Sequence, residues 1–254
     1  MANAKFKRRS EIVRIVREKK QMSCVELSKT FGVTEETIRK DLQELSEKGE
    51  LLRTFGGAMV REYGTERSLD QRIIQNLEQK KRIAQKAVST LKSGDLVAMD
   101  AGSTVTMMAK AIPDHLKITV LTNSLEICNI LSEKENVTVI CTGGKLHKKS
   151  MSLQGMLTES TINSLNAEKA FISCAAFDIK LGVMDSNEEA ARTKQSMIRN
   201  AREVYLLMDS SKIGCIAYIT TCPASSITKV VTDNAAAAEV VKRLEVLGIE
   251  MIRA

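Results

Sequence analysis

Apolar residues in the first sixty positions recur at helical spacing. Ile12, Val13, Ile15 and Val16 form the inward stripe of a helix expected over about residues 7–19, with Arg8, Arg9, Arg14 and Arg17 on its other faces. A second, shorter helix is announced by Ser23 and Glu26, which have the Ser-x-x-Glu spacing of a capping box, and by Leu27 and Phe31 on one side. Gly32-Val33 then makes a tight turn. Thr34 stands ready to cap a third helix whose inward stripe is Ile38, Leu42 and Leu45, while Glu35, Glu36, Thr37, Arg39, Lys40 and Gln43 face outward. Two short helices joined this closely read as a helix-turn-helix. After Gly49, a strand at Leu51-Leu52-Arg53, a turn at Phe55-Gly56-Gly57 and a return strand at Ala58-Met59-Val60 complete a winged helix.

The pattern then changes twice. Residues 61–76 are polar and interrupted by Gly64, and they read as a linker in which Leu69 is too isolated to join a core. Helical spacing returns from Leu77 to Lys92. Short apolar runs follow: Leu96–Met99, Ile118–Leu121 and Val137–Cys141, each ending in small polar residues, and then a second series at Ala170–Cys174, Val204–Met208, Val230-Val231 and Glu250–Ile252. Helical stretches near 187–201 and 235–247 lie among them. Strands alternating with helices at this interval predict an α/β domain with a largely parallel sheet. The expected organisation is a DNA-binding winged helix over 1–61, a linker over 62–76 and an α/β domain over 77–254.

Charge sharpens the first assignment. The chain of 254 residues has a formal charge of +7, and residues 1–61 carry seven lysines and seven arginines against nine acidic residues, so +5 of the total sits there. A basic excess confined to the helix-turn-helix is what a phosphate-backbone binder needs. The other composition signals are mostly exclusions. Six cysteines have no C-x-x-C spacing and no neighbouring histidine, which predicts free thiols rather than zinc or redox chemistry. With two histidines and no G-x-S-x-G or H-E-x-x-H, triad and zincin hydrolysis are not indicated. The N-terminus lacks the apolar run of a signal peptide, and no stretch approaches the ~18 apolar residues of a membrane span. A cytoplasmic protein without a cofactor is expected.

In open parallel sheets, ligands bind at the carboxyl ends of the strands. Here those ends carry Asp100, Gly102, Ser103, Thr104, Thr122, Asn123, Ser124, Gly143 and Gly144. Glycine lets backbone amides approach, hydroxyls donate, and a following helix N-terminus favours an anion. The helix dipole contributes only about 0.3–1 kcal/mol at an exposed terminus, so a phosphate also needs a cation. Lys194 and Lys212, the latter in Asp209-Ser210-Ser211-Lys212, are the candidates.

The run Thr34-x-x-Thr37-Ile38-Arg39-Lys40-Asp41-Leu42, with Arg8, Ile12 and Val16 before it and Leu52-Arg53-Thr54-Phe55-Gly56-Gly57 after it, resembles the DeoR-type bacterial repressors of sugar metabolism. The second part is similar to their effector domain through D-A-G-S-T at 100–104, T-N-S at 122–124, Gly143-Gly144, Gly155, Glu188, Lys194 and D-S-S-K at 209–212. The resemblance implies a fold related to ribose-phosphate isomerases, glucosamine-phosphate deaminases and CoA transferases, with a phosphorylated sugar or polyol as effector. Family members often carry histidine in place of Phe55, arginine in place of His147, and Gly-Leu-Thr in place of Gly182-Val183-Met184.

The leading reading is a homo-oligomeric, sequence-specific transcriptional repressor that binds double-stranded operator DNA, dimer or tetramer being left open. Thr34, Glu35, Glu36, Thr37, Arg39, Lys40 and Arg53 are its expected DNA contacts. Asp41 is expected to hold Arg39 or a neighbouring basic group, since phosphate repels carboxylates. The effector set is Asp100, Gly102, Ser103, Thr104, Thr122, Asn123, Ser124, Gly143, Gly144, Glu188, Lys194 and Lys212. Two alternatives stay open: an enzyme using Asp100, Glu188 and Lys212 as acid and base on a sugar phosphate, and an architectural DNA binder.

Overall fold

The computed structural model describes residues 2–19, 21–47, 50–54, 56–59 and 67–254, and within them all side chains but those of residues 2–4, 6, 17, 47, 52 and 53. The expected helix end at Gly49, the turn residue Phe55, the strand residue Val60 and positions 62–66 of the expected linker lie outside the described residues. The chain divides into two compact units, Met1–Gly64 with Ile213–Ile216, and Thr65–Lys212 with Ala217–Ala254.

The first unit contains α1 (Ala2–Lys19), β1 (Gln21–Ser23), α2 (Cys24–Phe31), α3 (Glu35–Glu47), β2 (Leu52–Thr54) and β3 (Gly57–Met59). Ser23 caps α2 in a complete capping box with Glu26, and α2 ends at Gly32 in the left-handed conformation with φ 62°. The Thr34 hydroxyl accepts from Thr37 N at 3.3 Å and starts α3. Ile12, Val13, Val16, Leu27, Ile38, Leu42 and Leu45 are buried together in one core. β2 and β3 pair antiparallel as expected, and β1 adds a third strand on the far side of β3. Sequence reading missed β1 because three residues between two helices are too few to show alternation.

The second unit runs through α4 (Leu69–Ile74), α5 (Leu77–Val88), β4 (Leu96–Met99), α6 (Ser103–Ala111), β5 (Ile118–Thr122), α7 (Leu125–Ser132), β6 (Val137–Cys141), β7 (Lys145–His147), β8 (Ser152–Gln154) and α8 (Met156–Asn163). It continues with β9 (Ala167–Ile172), β10 (Ala176–Asp178), β11 (Gly182–Asp185), α9 (Glu188–Arg199), β12 (Ala201–Leu207), β13 (Ile219–Cys222), β14 (Lys229–Thr232), α10 (Ala238–Val246) and β15 (Glu250–Arg253). Seven strands form a sheet in the order β15-β14-β12-β9-β4-β5-β6, parallel throughout. Val97, Met99, Ile118, Val120, Phe171, Tyr205 and Leu207 point from alternate positions into one core with α5, α6 and α7. The intervening Ala98, Leu121, Ala170, Ile172 and Leu206 are buried too, as in a sheet covered on both faces.

One expectation is corrected. Residues 67–76 of the expected linker are structured: α4 begins with a second capping box, Ser68 with Gln71, and Leu69 is buried rather than isolated. The Leu69 amide also donates to Lys149 O at 2.8 Å, and Ile73 packs on the main core. No helix among the described residues is long and apolar enough to cross a membrane.

Candidate functional site

In the first unit the outward face of α3 is the candidate DNA surface. Thr34, Glu36, Arg39 and Lys40 are exposed, and Glu35 and Thr37 are half-buried. Arg39 bonds Glu35 at 3.2 Å and Lys40 lies 3.8 Å from Glu36, each one helical turn away. Such exposed pairs are worth only about 0.3–0.5 kcal/mol, so both cations are free to exchange partners. The backbone of Arg53 lies in β2, and its side chain is outside the described set.

Asp41 holds neighbouring basic groups, as one half of the expectation had it, and not Arg39. It is buried and accepts from Arg8 Nε at 2.6 Å and Arg9 Nε at 2.7 Å, both from α1. Arg9 also donates to Glu44, whose carboxyl is held down at about 2 by the hydrogen bonds from Arg9 and Lys5. Arg9, expected on an outer face of α1, is therefore buried as part of the joint between α1 and α3.

The second candidate site follows from sheet topology. The chain enters at β4, winds outward through β5 and β6, then returns to β9 on the other flank and winds outward through β12, β14 and β15. The strand order reverses between β4 and β9, and in such sheets the crevice at the reversal is where ligands sit. Asp100 ends β4 and Ser173 ends β9, and the Ser173 amide donates to Asp100 Oδ2 at 3.3 Å. Gly102 is required there, since a Cβ on it would lie 2.5 Å from Ser173 Cβ. Gly102 precedes α6 without any side-chain cap. Among the described residues the opening amides of that helix thus have no side-chain cap, and the Thr104 hydroxyl beside them is buried with no partner.

Both candidate lysines reach this crevice, in different states. Lys194 is buried, 2.8 Å from Asp185 and 3.4 Å from Asp100, and Thr221 completes the cluster by donating to Asp185 at 2.6 Å. Burial works against the Lys194 charge, but the two carboxylates outweigh it and hold the ammonium above the ordinary lysine range. Asp100, the more distant of the two carboxylates, is pushed up by burial. Lys194, expected as a cation for a phosphate, is therefore already committed to two carboxylates. Lys212 is half-buried, and its ammonium donates to two neutral oxygens, Ser173 Oγ at 3.1 Å and Cys174 O at 2.6 Å. Among the described residues no carboxylate bonds it.

The other expected site residues are placed as follows. Thr122 donates to Met99 O at 2.6 Å and locks the end of β5 to the end of β4. Ser124 caps α7, and Asn123 donates to Leu153 O at 3.0 Å while its own side-chain oxygen is buried without a partner. Gly143 and Gly144 end the edge strand β6 with φ of 71° and 118°. A Cβ on Gly144 would meet Thr158 Oγ1 at 2.3 Å, and Thr158 donates to Gly143 O at 2.7 Å, so these glycines let α8 close on the loop. Glu188 stands exposed at the start of α9, bonded to Arg192 at 2.7 Å. The acid-base trio of Asp100, Glu188 and Lys212 is not joined by hydrogen bonds: Asp100 is engaged with Lys194 and Ser173, and Glu188 with Arg192. Sequence reading missed Ser173, Asp185 and Thr221, because a polar residue at a strand end carries no spacing of its own. Cys128, Cys174 and Cys222 are pushed up to about 12 chiefly by burial, as suits structural thiols.

A winged helix-turn-helix whose third helix displays Arg39 and Lys40, in one chain with a doubly wound sheet that has a polar crevice, defines a DNA-binding regulator with a sensor domain. The chain belongs to the DeoR family: residues 8–63 match the DeoR-like helix-turn-helix domain and residues 75–234 the DeoR C terminal sensor domain. The HTH-type transcriptional regulator YulB of Bacillus subtilis is 39% identical over 94% of this chain and 92% of its own. The glycerol-3-phosphate regulon repressor of Escherichia coli is 30% identical over 89% and 90%. Among solved structures, ribose 5-phosphate isomerase A of Methanocaldococcus jannaschii is similar over 55% of each chain, with 16% identity and a TM-score of 0.42.

Proposed function

We propose that the chain is a homo-oligomeric repressor of a sugar or polyol catabolic operon, and that a phosphorylated sugar or polyol in the β4/β9 crevice modulates its grip on operator DNA. The observation that carries the reading is the pairing of an uncapped helix start at Gly102-Ser103-Thr104 with Lys212, a cation whose bonded partners are both neutral. Together they supply amides, a free buried hydroxyl and a positive charge, the chemistry a phosphate group requires. Among the relatives, one is named for a glycerol-3-phosphate regulon and another for a lactose phosphotransferase system, which supports a phosphorylated carbohydrate as the ligand class.

In this reading Arg39 and Lys40 contact phosphates or guanine edges, and Thr34, Glu35, Glu36 and Thr37 read bases or set the helix. A coupling of about 1–3 kcal/mol between the sites changes operator affinity roughly 5- to 150-fold, enough for regulation. The test is a thermal-shift screen of the full chain against sugar and polyol phosphates, glycerol 3-phosphate and inorganic phosphate included. A specific ligand at 100 times its Kd stabilises the fold by about 2.7 kcal/mol. Stabilisation by a phosphorylated compound and not by its dephosphorylated counterpart, lost in Lys212→Ala, is the expected result. A protein indifferent to the whole panel would refute the reading.

A further inference from the structure

Between α4 and α5 the chain makes a turn whose chemistry serves something other than the two helices. Asn76 occupies the position before α5, where its residue type ordinarily caps the helix, yet its side chain makes no cap. It adopts the left-handed conformation, with φ 54° and ψ 40°, and its amide reaches across the unit to Asp209 Oδ1 at 2.9 Å and Ser211 Oγ at 3.1 Å. Those residues belong to the Asp209–Lys212 loop that carries the unmatched cation of the crevice. On its other flank the loop is anchored by Asp233, which accepts from Ser210 N at 2.7 Å and Ser210 Oγ at 2.9 Å.

The same turn is tied back to α4. Lys80, buried in the first turns of α5, donates through its ammonium to Arg72 O and Gln75 O, the carbonyls that close α4. Lys80 lies in the electrostatic field of Lys212, Asp209 and Arg72, and Nε and Nη2 of Arg72 are buried without partners. Asp209 stands among the cations of the α4/α5 turn, and Asp233 holds the other flank of the Lys212 loop through Ser210. An anion bound at Lys212 changes the field that Lys80 feels from that loop, which gives the turn a reason to respond to occupancy.

We propose that Asn76 is the positioning residue that couples occupancy of the Lys212 crevice to α4, the first described element of the sensor unit to follow the DNA-binding unit in the chain. This rests on the reading of the crevice as a phosphate site and adds its regulation. Asn76 touches no ligand; it acts through the Asp209–Lys212 loop, and Lys80 carries the displacement to the carbonyl end of α4.

Two variants of the full chain separate coupling from folding. Asn76→Gly keeps the left-handed turn without strain and deletes both hydrogen bonds. Asn76→Asp keeps size and turn preference but replaces the donor with a carboxylate facing Asp209. Amide hydrogen exchange is followed by mass spectrometry with and without glycerol 3-phosphate, and with and without inorganic phosphate. In the wild type, the probe that binds is expected to slow exchange about five-fold or more both in 209–212 and in Leu69–Ile74. In both variants the protection at 209–212 is expected to persist while the ligand-dependent change in α4 falls to about one-fold. Protection of α4 that survives in both variants overturns the coupling and leaves the crevice reading standing. Absence of protection at 209–212 in the wild type with either probe overturns the crevice reading and the coupling with it.

Discussion

Arg9 of α1 and Asp41 of α3 share a buried 2.7 Å hydrogen bond that joins the first helix of the DNA-binding unit to its candidate recognition helix. Arg8 occupies the second carboxylate oxygen of Asp41, and Glu44 draws on Arg9 from one turn further along α3. The carboxylate fixes the α3 axis from behind, leaving Arg39 and Lys40 exposed on another face.

Truncating one partner of a buried pair strands the other charge, which costs about 3–5 kcal/mol. Asp41→Ala is therefore expected to lower the stability of the first unit by about 3 kcal/mol, seen in urea denaturation as an early transition separate from that of the sensor unit. Coincident, unshifted transitions would show that the joint contributes little.

Arg39→Ala is expected to behave in the opposite way. Arg39 is more than half exposed and held only by Glu35, so its loss should change the melting temperature little. Affinity for a specific operator should fall by about 1–3 kcal/mol if it reads a guanine edge, with relaxed sequence preference at that position. Equal losses on every duplex sequence, with a smaller salt dependence, would make it a phosphate contact instead.

The contrast between these two residues shows what the sequence made legible. Local signals survived intact: the Ser23–Glu26 box, Gly32, the Thr34 cap and the Ile38/Leu42/Leu45 stripe all depend on neighbours within a few positions. So did the alternation of strands and helices, because period and spacing are properties of short windows. The partner of Asp41 was illegible because Arg8 and Arg9 lie more than thirty positions away, whereas Arg39 was near in sequence and wrong in direction. The burial of Lys194 depended on Asp100 and Asp185 arriving from two different strands. The linker was a different failure, since Ser68-x-x-Gln71 is itself a capping signal and only the sparse apolar residues around it argued against a helix.

Lys194 and Lys212 should part company under mutation. Lys194→Met leaves Asp100 and Asp185 facing each other in a buried site, and a loss of about 3–5 kcal/mol in sensor-unit stability is expected. Lys212→Ala removes two hydrogen bonds from a half-buried ammonium to neutral oxygens and strands no opposite charge, so it should be milder. Calorimetry on both variants decides the matter: if Lys212→Ala proves the more damaging, its role is structural and the assignment of the crevice loses its cation.

Lys80 provides a pH test of the α4/α5 turn. Burial, reinforced by the ammonium of Lys212, pulls its pKa down from 10.5 to about 8, against the opposing pull of Asp209. Between those values the unfolded chain binds a proton that the folded chain does not, so stability from this group rises with pH across that window. The contribution is complete above 10.5 and is lost as pH falls through about 8. The wild type should therefore gain stability relative to Lys80→Met as pH is raised from 8 to 10, as measured by urea denaturation at fixed ionic strength. A gap that stays constant or narrows over that interval would mean that the bonds from Lys80 to Arg72 O and Gln75 O hold the ammonium charged, and that burial does not govern the turn.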